Sequence, residues 1–210
     1  MDTNGGGWTV FQKRVDDSLT FYTKTWAEYK NGFDNGLTRN FWLGNDKIHA
    51  LSSKDSKVDL RIDLWGDRDP NPNATPMYKN AYFFAEYTNF AVDNEANKYT
   101  LHLSPFVSGN ASYQNNNIDI IWSNGRPFST FDQDNDGGDC ANPDENSMQL
   151  GGWWANWVGR CGYCALNGKY VPSVTFNSFF GMNWFVNTGP LEGRKYIQPV
   201  QSQMKMRKVA

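Results

Sequence analysis

The acidic segment 132–139 contains the residues whose types and spacing point most directly to chemistry. Asp132, Asp134 and Asp136 alternate with amide side chains, and two glycines follow them. A tightly turning backbone would bring these carboxylates together, and their mutual repulsion would oppose folding unless a cation lay among them. Oxygen ligands of this kind suit a hard divalent ion, so we expect Ca²⁺. The alternative is a solvated acidic turn, because Asp, Asn and Gly favour turns with or without a metal.

An EF-hand is one kind of calcium loop that this spacing matches in part. Asp132, Asp134 and Asp136 fall at loop positions one, three and five, and Gly137 falls at position six. Position twelve is Pro143, however, where an EF-hand requires a bidentate Glu. The residues on both sides of the loop also lack a helical period. The spacing therefore indicates a calcium loop of another kind.

The three cysteines, Cys140, Cys161 and Cys164, lie close together in the sequence. The only histidines are His49 and His102, so we do not expect a zinc site of the usual Cys/His kind. Two of the cysteines form a C-x-x-C pair, but the βαβ pattern of a redox protein is missing around it. A disulfide from Cys140 to one of the other two, with one cysteine left over, favours a secreted protein.

The composition limits the class of protein. The chain has 210 residues, enough for one domain with a sizeable core, and 16% of them are aromatic. The 20 basic and 22 acidic residues form no basic run, so nucleic acid is not an expected partner. No apolar run approaches the roughly 18 residues of a membrane span. No G-x-S-x-G elbow or P-loop is present, and we expect no enzymatic activity.

Short strands and helices must position the acidic segment. Alternation predicts a strand at Val58–Trp65 with Val58, Leu60, Ile62 and Leu64 facing inward. Asp46 is the predicted N-cap of a second short helix, and His49 is expected to pack near the end of that helix. The segment 66–76 reads as an exposed loop. The other predicted elements are a strand at 8–14, helices at 25–33 and 46–51, strands at 80–87 and 99–103 in one antiparallel sheet, and a closing strand at 205–208.

Spaced motifs run nearly from end to end of the chain. They are GGGWTVFQ at 5–12, WAEYKNGF at 26–33, FWLGNDKIH at 41–49, FSTFDQDND at 128–136, GGWW at 151–154, LNGKY at 166–170 and MKMR at 204–207. These motifs resemble the fibrinogen C-terminal domain, the fibrinogen-related module of fibrinogen chains, ficolins, tachylectins, angiopoietins and tenascins. The resemblance implies a secreted, non-enzymatic recognition module with an α+β fold and a calcium site beside its ligand pocket.

The resemblance also implies how the chain is organised. Residues 1–115 correspond to a central sheet subdomain and residues 116–210 to a calcium and ligand-pocket subdomain. Residues 1–4 resemble the piece that follows the second cysteine of the family's N-terminal disulfide. The N-terminal subdomain therefore looks truncated, and we expect any oligomer to form through collagen-like or coiled-coil regions that this sequence does not contain.

The family pattern assigns the calcium ligands and the disulfide. Asp134 and Asp136 match the side-chain ligands, and Gly138 matches a backbone carbonyl donor. The loop is shorter than in the family, so the side chain of Asp139 is expected to replace a second carbonyl. Two cysteines match the family's second disulfide, which leaves Cys164 as an odd thiol, either buried or paired between chains; the predicted pair is Cys140 with Cys161.

The resemblance places a ligand pocket beside the second cysteine of that disulfide. Acetyl-binding lectins of the family carry a His there, where this chain has Gly162, and the peptide bond from Arg160 to Cys161 matches their cis bond. Aromatic residues near Tyr196 and the Ser178–Phe179 region would form the pocket wall, although these aromatics are equally compatible with an ordinary core. The predicted ligand-binding residues are Arg160, Cys161, Gly162, Tyr163, Ser178, Phe179 and Tyr196.

Two functions follow from these assignments. The first is calcium-dependent recognition of a carbohydrate or an acetylated group, as in an invertebrate-type lectin of innate defence. The second is a protein-binding module for adhesion, receptor signalling or fibrin-like assembly, which would use the same pocket or the loop 66–76. The missing His weakens the acetyl hypothesis. The aromatic surplus supports it, because sugar faces and acetyl methyls pack against flat apolar surfaces.

Overall fold

The computed structural model describes residues 7–53, 57–68, 78–112, 119–145, 147–156, 161–170, 180–187 and 194–209. The strands of this part of the chain are β1 (Thr9–Arg14), β2 (Phe33–Asp34), β3 (Phe41–Trp42), β4 (Val58–Trp65), β5 (Tyr82–Tyr87), β6 (Ala91–Val92), β7 (Leu101–His102), β8 (Phe106–Gly109), β9 (Cys164–Ala165), β10 (Asn183–Asn187), β11 (Arg194–Ile197) and β12 (Gln201–Lys208). The helices are α1 (Trp26–Asn31), α2 (Asn45–Ser53) and two 3₁₀ helices, Glu95–Asn97 and Ile120–Ser123. The predicted α+β class is confirmed.

A seven-stranded antiparallel sheet forms the larger part of the fold, in the order β2-β3-β1-β12-β4-β5-β8. The C-terminal strand β12 lies in its middle, where Met204 pairs with Gln12 on one side and Ile62 on the other. This strand is longer than the predicted segment 205–208. It also lies in the sheet of the N-terminal half, although the expected division placed it with residues 116–210.

Strand β4 has the predicted inward face, since Val58, Leu60, Ile62 and Leu64 are all buried. Its other face is also covered, which alternation alone did not indicate. Arg61, Asp63 and Lys205 are buried there as a charged cluster. Asp63 accepts a hydrogen bond from Arg61 Nε at 2.9 Å, and its other oxygen lies 2.7 Å from Lys205 Nζ. Pairing makes burial of these charges tolerable.

Helix α1 is defined at both ends by local chemistry. Thr25 and Glu28 form a capping box at its start. Gly32 ends it with a φ of 95°, and a Cβ there would lie 2.4 Å from the carbonyl oxygen of Leu43. Trp26 and Tyr29 form its buried face. The predicted helix at 25–33 is confirmed, with these tighter limits.

Helix α2 begins at Asn45, one residue earlier than predicted. Asp46 is therefore not the N-cap: it lies in the first turn and accepts a hydrogen bond from the Tyr99 hydroxyl. His49 is partly buried, and its Nδ1 lies 2.7 Å from the carbonyl oxygen of Val92, which agrees with a packing role. Neither described helix is long and apolar enough to cross a bilayer.

Three features of the second half of the fold differ from the prediction. The strand β7 pairs with β6 in a separate two-stranded ribbon and not with β5, so the predicted single sheet is wrong there. Strands β9, β10 and β11 form a three-stranded sheet where only loops were expected. In the predicted exposed loop, Gly66 and Asp67 are buried, and Asp67 Oδ1 accepts a hydrogen bond from the amide of Gln198 at 2.9 Å; residues 69–76 lie outside the described ranges.

An aromatic core connects the large sheet to the acidic segment. Phe11 of β1 and Tyr29 of α1 both contact Trp42, with ring centroids 6.0 and 5.6 Å apart. Phe128, just before the acidic segment, lies 5.2 Å from both Tyr29 and Trp154. Edge-to-face pairs of this kind add specific geometry to their large buried area. The chain is therefore held in the aromatic core at Phe128, just before the acidic segment.

Candidate functional site

The acidic loop, residues 132–140, is fixed to the core at its entrance. The backbones of Ser129 and Trp153 exchange two hydrogen bonds, of 2.9 and 3.0 Å. Asn135 ties the loop back to the same place, because its amide donates to Ser129 Oγ at 2.7 Å and its side chain donates to the Phe128 carbonyl at 2.8 Å. These hydrogen bonds hold the entrance of the loop against the core, although the loop is short and polar.

Asp132 has a different partner from the other aspartates of the loop. Its Oδ1 accepts hydrogen bonds from the main-chain amide of Trp26 at 2.9 Å and from Thr130 Oγ1 at 2.8 Å. Trp26 is the first residue of α1, so Asp132 satisfies an otherwise unpaired amide at the start of that helix. The first aspartate of the run therefore serves to position the loop.

Asp134 and Asp136 each turn one carboxylate oxygen toward the backbone of the loop. Asp134 Oδ1 accepts from the amides of Asp136 and Gly137 at 2.9 and 3.3 Å. Asp136 Oδ1 accepts from the amides of Gly138 and Cys140 at 2.9 and 3.5 Å. The second oxygen of Asp136 is buried and has no hydrogen-bond partner within the described residues. A buried carboxylate oxygen without a partner is costly, so this position favours a cation.

The electrostatics of Asp136 agree with that geometry. Burial raises the pKa of its carboxyl, and the nearby charge of Asp134 raises it further. The amides of Gly138 and Cys140, and to a smaller extent the hydroxyl of Ser129, lower it. A divalent cation would reverse the balance, because it stabilises both carboxylates in their ionised form.

The other two predicted calcium ligands, Gly138 and Asp139, differ in which of their polar groups already form hydrogen bonds. Gly138 uses its amide on Asp136, which leaves its carbonyl as the predicted donor. Asp139 has a left-handed φ of 62°, and its Oδ2 accepts a hydrogen bond from Asn142 Nδ2 at 2.7 Å. In the part of the chain that the structure describes, no three His, Cys, Asp or Glu side chains are grouped as a metal site. Two carboxylates would thus need backbone carbonyls and water to complete a calcium shell.

A disulfide connects the acidic loop to the predicted pocket. Cys140 is bonded to Cys161, with Cα atoms 5.5 Å apart, which is the predicted pair. Cys161 and Gly162 both have positive φ, 65° and 105°, so the chain turns sharply after the bridge. The predicted cis bond involves Arg160, which lies outside the described residues, as do Ser178 and Phe179.

Aromatic side chains follow that turn. Tyr163 contacts Trp122 and Phe185 edge to face, with centroids 5.4 and 5.6 Å apart. Phe185 in turn lies 4.8 Å from Tyr196. The structure therefore brings the predicted residues Tyr163 and Tyr196 together through Phe185. Trp122 is 38% exposed and stands at the open end of this aromatic series.

Sequence reasoning missed Trp122 and Phe185. Phe185 is placed by the pairing of β10 with β9, in which Trp184 lies opposite Cys164. The only local signal was a short apolar run at 184–186. Trp122 lies in a 3₁₀ helix capped by Asp119, whose side chain accepts from the amide of Ile121 at 2.7 Å. An Asp before an apolar triplet was the signal available there.

Cys164 is buried as a free thiol, which decides between the two predicted alternatives for this residue. Burial raises the pKa of the thiol well above its ordinary value, and the nearby charge of Asp119 acts in the same direction. Since the thiolate is the reactive form, a thiol held neutral in this way behaves as a packing residue.

Comparisons with known proteins agree with this architecture. The family described as the C-terminal globular domain of fibrinogen beta and gamma chains matches residues 1–208. Ryncolin-4 of Cerberus rynchops is 36% identical over an alignment of 209 residues, and the match covers 97% of this chain and 53% of that protein. The chain thus spans about half the length of this relative.

Solved structures show the same fold. The fibrinogen-like globe domain of human ANGPTL6 is 28% identical with a TM-score of 0.76, covering 100% of this chain and 81% of that one. The lamprey fibrin D-dimer, solved with the peptide Gly-His-Arg-Pro-amide, is 30% identical with a TM-score of 0.69, covering 99% and 64%. The chain therefore belongs to the fibrinogen C-terminal domain family, whose members are non-enzymatic recognition modules.

Proposed function

We propose that this chain is an extracellular, calcium-dependent lectin module that binds a carbohydrate or an acetylated group between the acidic loop and the Cys161 turn. One observation carries the proposal. The loop that contains the unpartnered, buried Oδ2 of Asp136 ends at Cys140, and that residue is covalently joined to the turn that begins the aromatic series. An ion bound in the loop would thereby influence the shape of the turn.

The calcium site in this proposal uses residues of one short segment. Asp134 and Asp136 supply carboxylate oxygens, and Gly138 supplies a carbonyl. Calcium would neutralise the two carboxylates and hold the loop in one shape. Asp132 lies outside this set, because its Oδ1 links the loop to α1 through the amide of Trp26, whereas Asp134 and Asp136 accept main-chain hydrogen bonds within the loop. Asp139 is the weaker ligand candidate, since Asn142 holds one of its oxygens.

The aromatic series supplies the contact surface for the ligand. Trp122 and Tyr163 are partly exposed, whereas Phe185 and Tyr196 are buried behind them. Flat rings of this kind pack against sugar faces and acetyl methyl groups. A side chain at position 162 would point into open space, because a Cβ built there meets no atom within 4 Å. Gly162 therefore leaves the pocket wide, without the donor that a His would provide.

The extracellular location in this proposal is supported by the disulfide. Cytosolic thiols are kept reduced, so a buried structural disulfide between Cys140 and Cys161 suits a secreted protein. A lectin with this location would act in recognition of surface glycans, as in innate defence.

A second candidate function is binding of a polypeptide in the same pocket. The lamprey fibrin D-dimer was solved with the peptide Gly-His-Arg-Pro-amide, and its fold matches this chain with a TM-score of 0.69. The exposed loops of this chain would then serve adhesion, receptor signalling or fibrin-like assembly.

A glycan and acetylated-ligand array, run with calcium and with EDTA, tests the proposal. We expect hits that require calcium and that disappear in Tyr163→Ala. Leu37→Ala is a suitable control, because Leu37 is 76% exposed and lies between β2 and β3 at the edge of the large sheet. A blank array, together with specific capture of a peptide such as Gly-His-Arg-Pro-amide, would favour the second function instead.

A further inference from the structure

We propose that a second pocket, at the end of β1 beside Tyr170, binds a carboxylate ligand of monosaccharide size such as a uronic acid. The geometry points to this ligand through a buried arginine at the floor of the pocket, Arg14, and a lysine on its wall, Lys169. The pocket has a volume of about 210 Å³. Its lining consists of Arg14, Asp17, Leu19, Thr20, Phe21, Tyr22, Lys169 and Tyr170.

The arginine at the floor is held by main-chain carbonyls, and the nearby charge of Asp16 favours its protonated form. Arg14 is 1% exposed, and its Nη1 donates to the carbonyls of Leu166 and Gly168 at 3.2 and 3.0 Å. Its Nε is buried without a hydrogen-bond partner. Among the described residues it forms no ion pair, since nearby Asp16 is paired with Arg39 at 2.6 Å.

A second arginine adds to the positive potential. Arg68 stacks on the Tyr170 ring with its guanidinium carbon 3.9 Å from the centroid, while that of Arg14 lies 5.8 Å from the same ring. Burial lowers the pKa of each guanidinium to about 10, and the charge of Arg68 contributes to the shift at Arg14. The buried Arg14 in the lining and the half-buried Arg68 next to Tyr170 would both gain from an anion placed in the pocket.

The charges of the lining residues indicate which kind of anion the pocket would bind. Arg14 and Lys169 are cationic and Asp17 is anionic, so the lining carries one net positive charge, which suits a monoanion. Phe21 and Tyr22 add aromatic faces: Arg14 lies 4.1 Å from the Phe21 centroid and Lys169 Nζ lies 5.4 Å from that of Tyr22.

The size and polarity of the pocket narrow the choice further. Its volume is below the roughly 300–1,000 Å³ of pockets for drug-sized ligands. Thr20, exposed at the rim, offers a hydroxyl. A ring that carries hydroxyl groups and one carboxylate meets all these features.

The test is a titration of the whole chain with glucuronate, its neutral methyl ester and glucose at constant ionic strength. We expect glucuronate to bind at least about tenfold more tightly than either neutral sugar. One charge-assisted hydrogen bond accounts for a ratio of that order between the dissociation constants. Arg14 is left unchanged, because its hydrogen bonds to Leu166 and Gly168 make its removal a risk to folding.

Two wall variants make the result specific to this pocket. Lys169→Gln should weaken glucuronate binding several-fold, and Asp17→Asn should strengthen it, because it removes a repulsive charge. Equal binding of the acid and its ester, no saturable binding of glucuronate, or binding that neither variant changes would each overturn the proposal. Loss of glucuronate binding in Tyr163→Ala would also overturn it, since the ligand would then occupy the pocket beside Cys161.

Discussion

The main-chain amide of Trp26 donates a hydrogen bond of 2.9 Å to Asp132 Oδ1, across a sequence separation of 106 residues. This contact ties the start of α1 to the first aspartate of the acidic loop. The side chain of Trp26 strengthens the connection, because its Nε1 donates to Glu95 at 2.9 Å and its ring lies 6.2 Å from that of Phe128. These contacts therefore fix the position of the acidic loop relative to α1.

Asp132→Ala should destabilise the fold by about 1 kcal/mol, the usual effect of removing a side chain that caps a helix amide. Urea unfolding of the calcium-free protein measures this change. Calcium affinity should fall much less than in Asp134→Ala, since Asp132 positions the loop and is not in the proposed ligand set. If Asp132→Ala abolished calcium binding as completely as Asp134→Ala, this division of roles would be wrong.

Calcium should bind with one ion per chain and stabilise the folded state. Isothermal titration of EDTA-stripped protein measures the stoichiometry, and thermal unfolding measures the stabilisation, which is about 2.7 kcal/mol when free calcium is 100 times the dissociation constant. Asp134→Asn and Asp136→Asn should each remove the effect. Asp144→Asn is the matched control, because Asp144 lies in the same region and outside the proposed ligand set. No heat of binding at millimolar calcium would refute the site.

The parts of the fold that could be predicted are those that depend on neighbours in sequence. Strand β4 follows from alternation, and α1 follows from the spacing of Trp26 and Tyr29 and the stop at Gly32, all of which are local. The central position of β12 depends on partners far along the chain. The strand β7 pairs with the nearby β6, Val92 opposite Leu101, and periodicity does not show which other strand a strand will pair with. Local periodicity carries no information about such partners, so the expected sheet order was incomplete.

Prediction of the candidate site from the sequence was limited in the same way. The spacing of Asp134 and Asp136 is a local pattern, and it pointed to the loop directly. The role of Asp132 required Trp26, which is distant in sequence. Phe185 joins Tyr163 to Tyr196 because β10 pairs with β9 on one side and with β11 on the other, where Phe185 lies opposite Tyr196.

Removing the disulfide should destabilise the fold and loosen the acidic loop. The bridge joins residues 21 apart, and loops of that order correspond to about 3 kcal/mol. We expect that loss in the double variant Cys140→Ala with Cys161→Ala, together with weaker calcium binding. Cys164→Ala should leave calcium binding unchanged. Peptide mapping under non-reducing conditions checks the pairing directly, and a Cys161–Cys164 bridge would contradict it.

The contribution of Asp136 to the pH dependence of stability should reverse when calcium is removed. In the metal-free fold, burial and the charge of Asp134 raise the pKa of Asp136 above its ordinary value of 3.8. The folded state then binds this proton more tightly than the unfolded state. Its contribution to the stability of the metal-free protein falls as pH rises from the unfolded pKa through the folded one. Bound calcium favours the ionised carboxylate, so the calcium-loaded protein should lose stability as pH falls.

Urea unfolding from about pH 4 to pH 7, with and without calcium, measures both slopes in the native chain and in Asp136→Asn. Comparison with the variant isolates this group, because other carboxylates act in the opposite direction; hydrogen bonding by Ser18, for example, lowers the pKa of Asp16. Without calcium, the variant should gain stability relative to the native chain as pH rises, because it lacks the buried charge. With calcium, the native chain should be the more stable one at neutral pH. Parallel pH profiles of the two proteins in both conditions would show that Asp136 neither holds an unfavourable charge in the metal-free fold nor binds the ion.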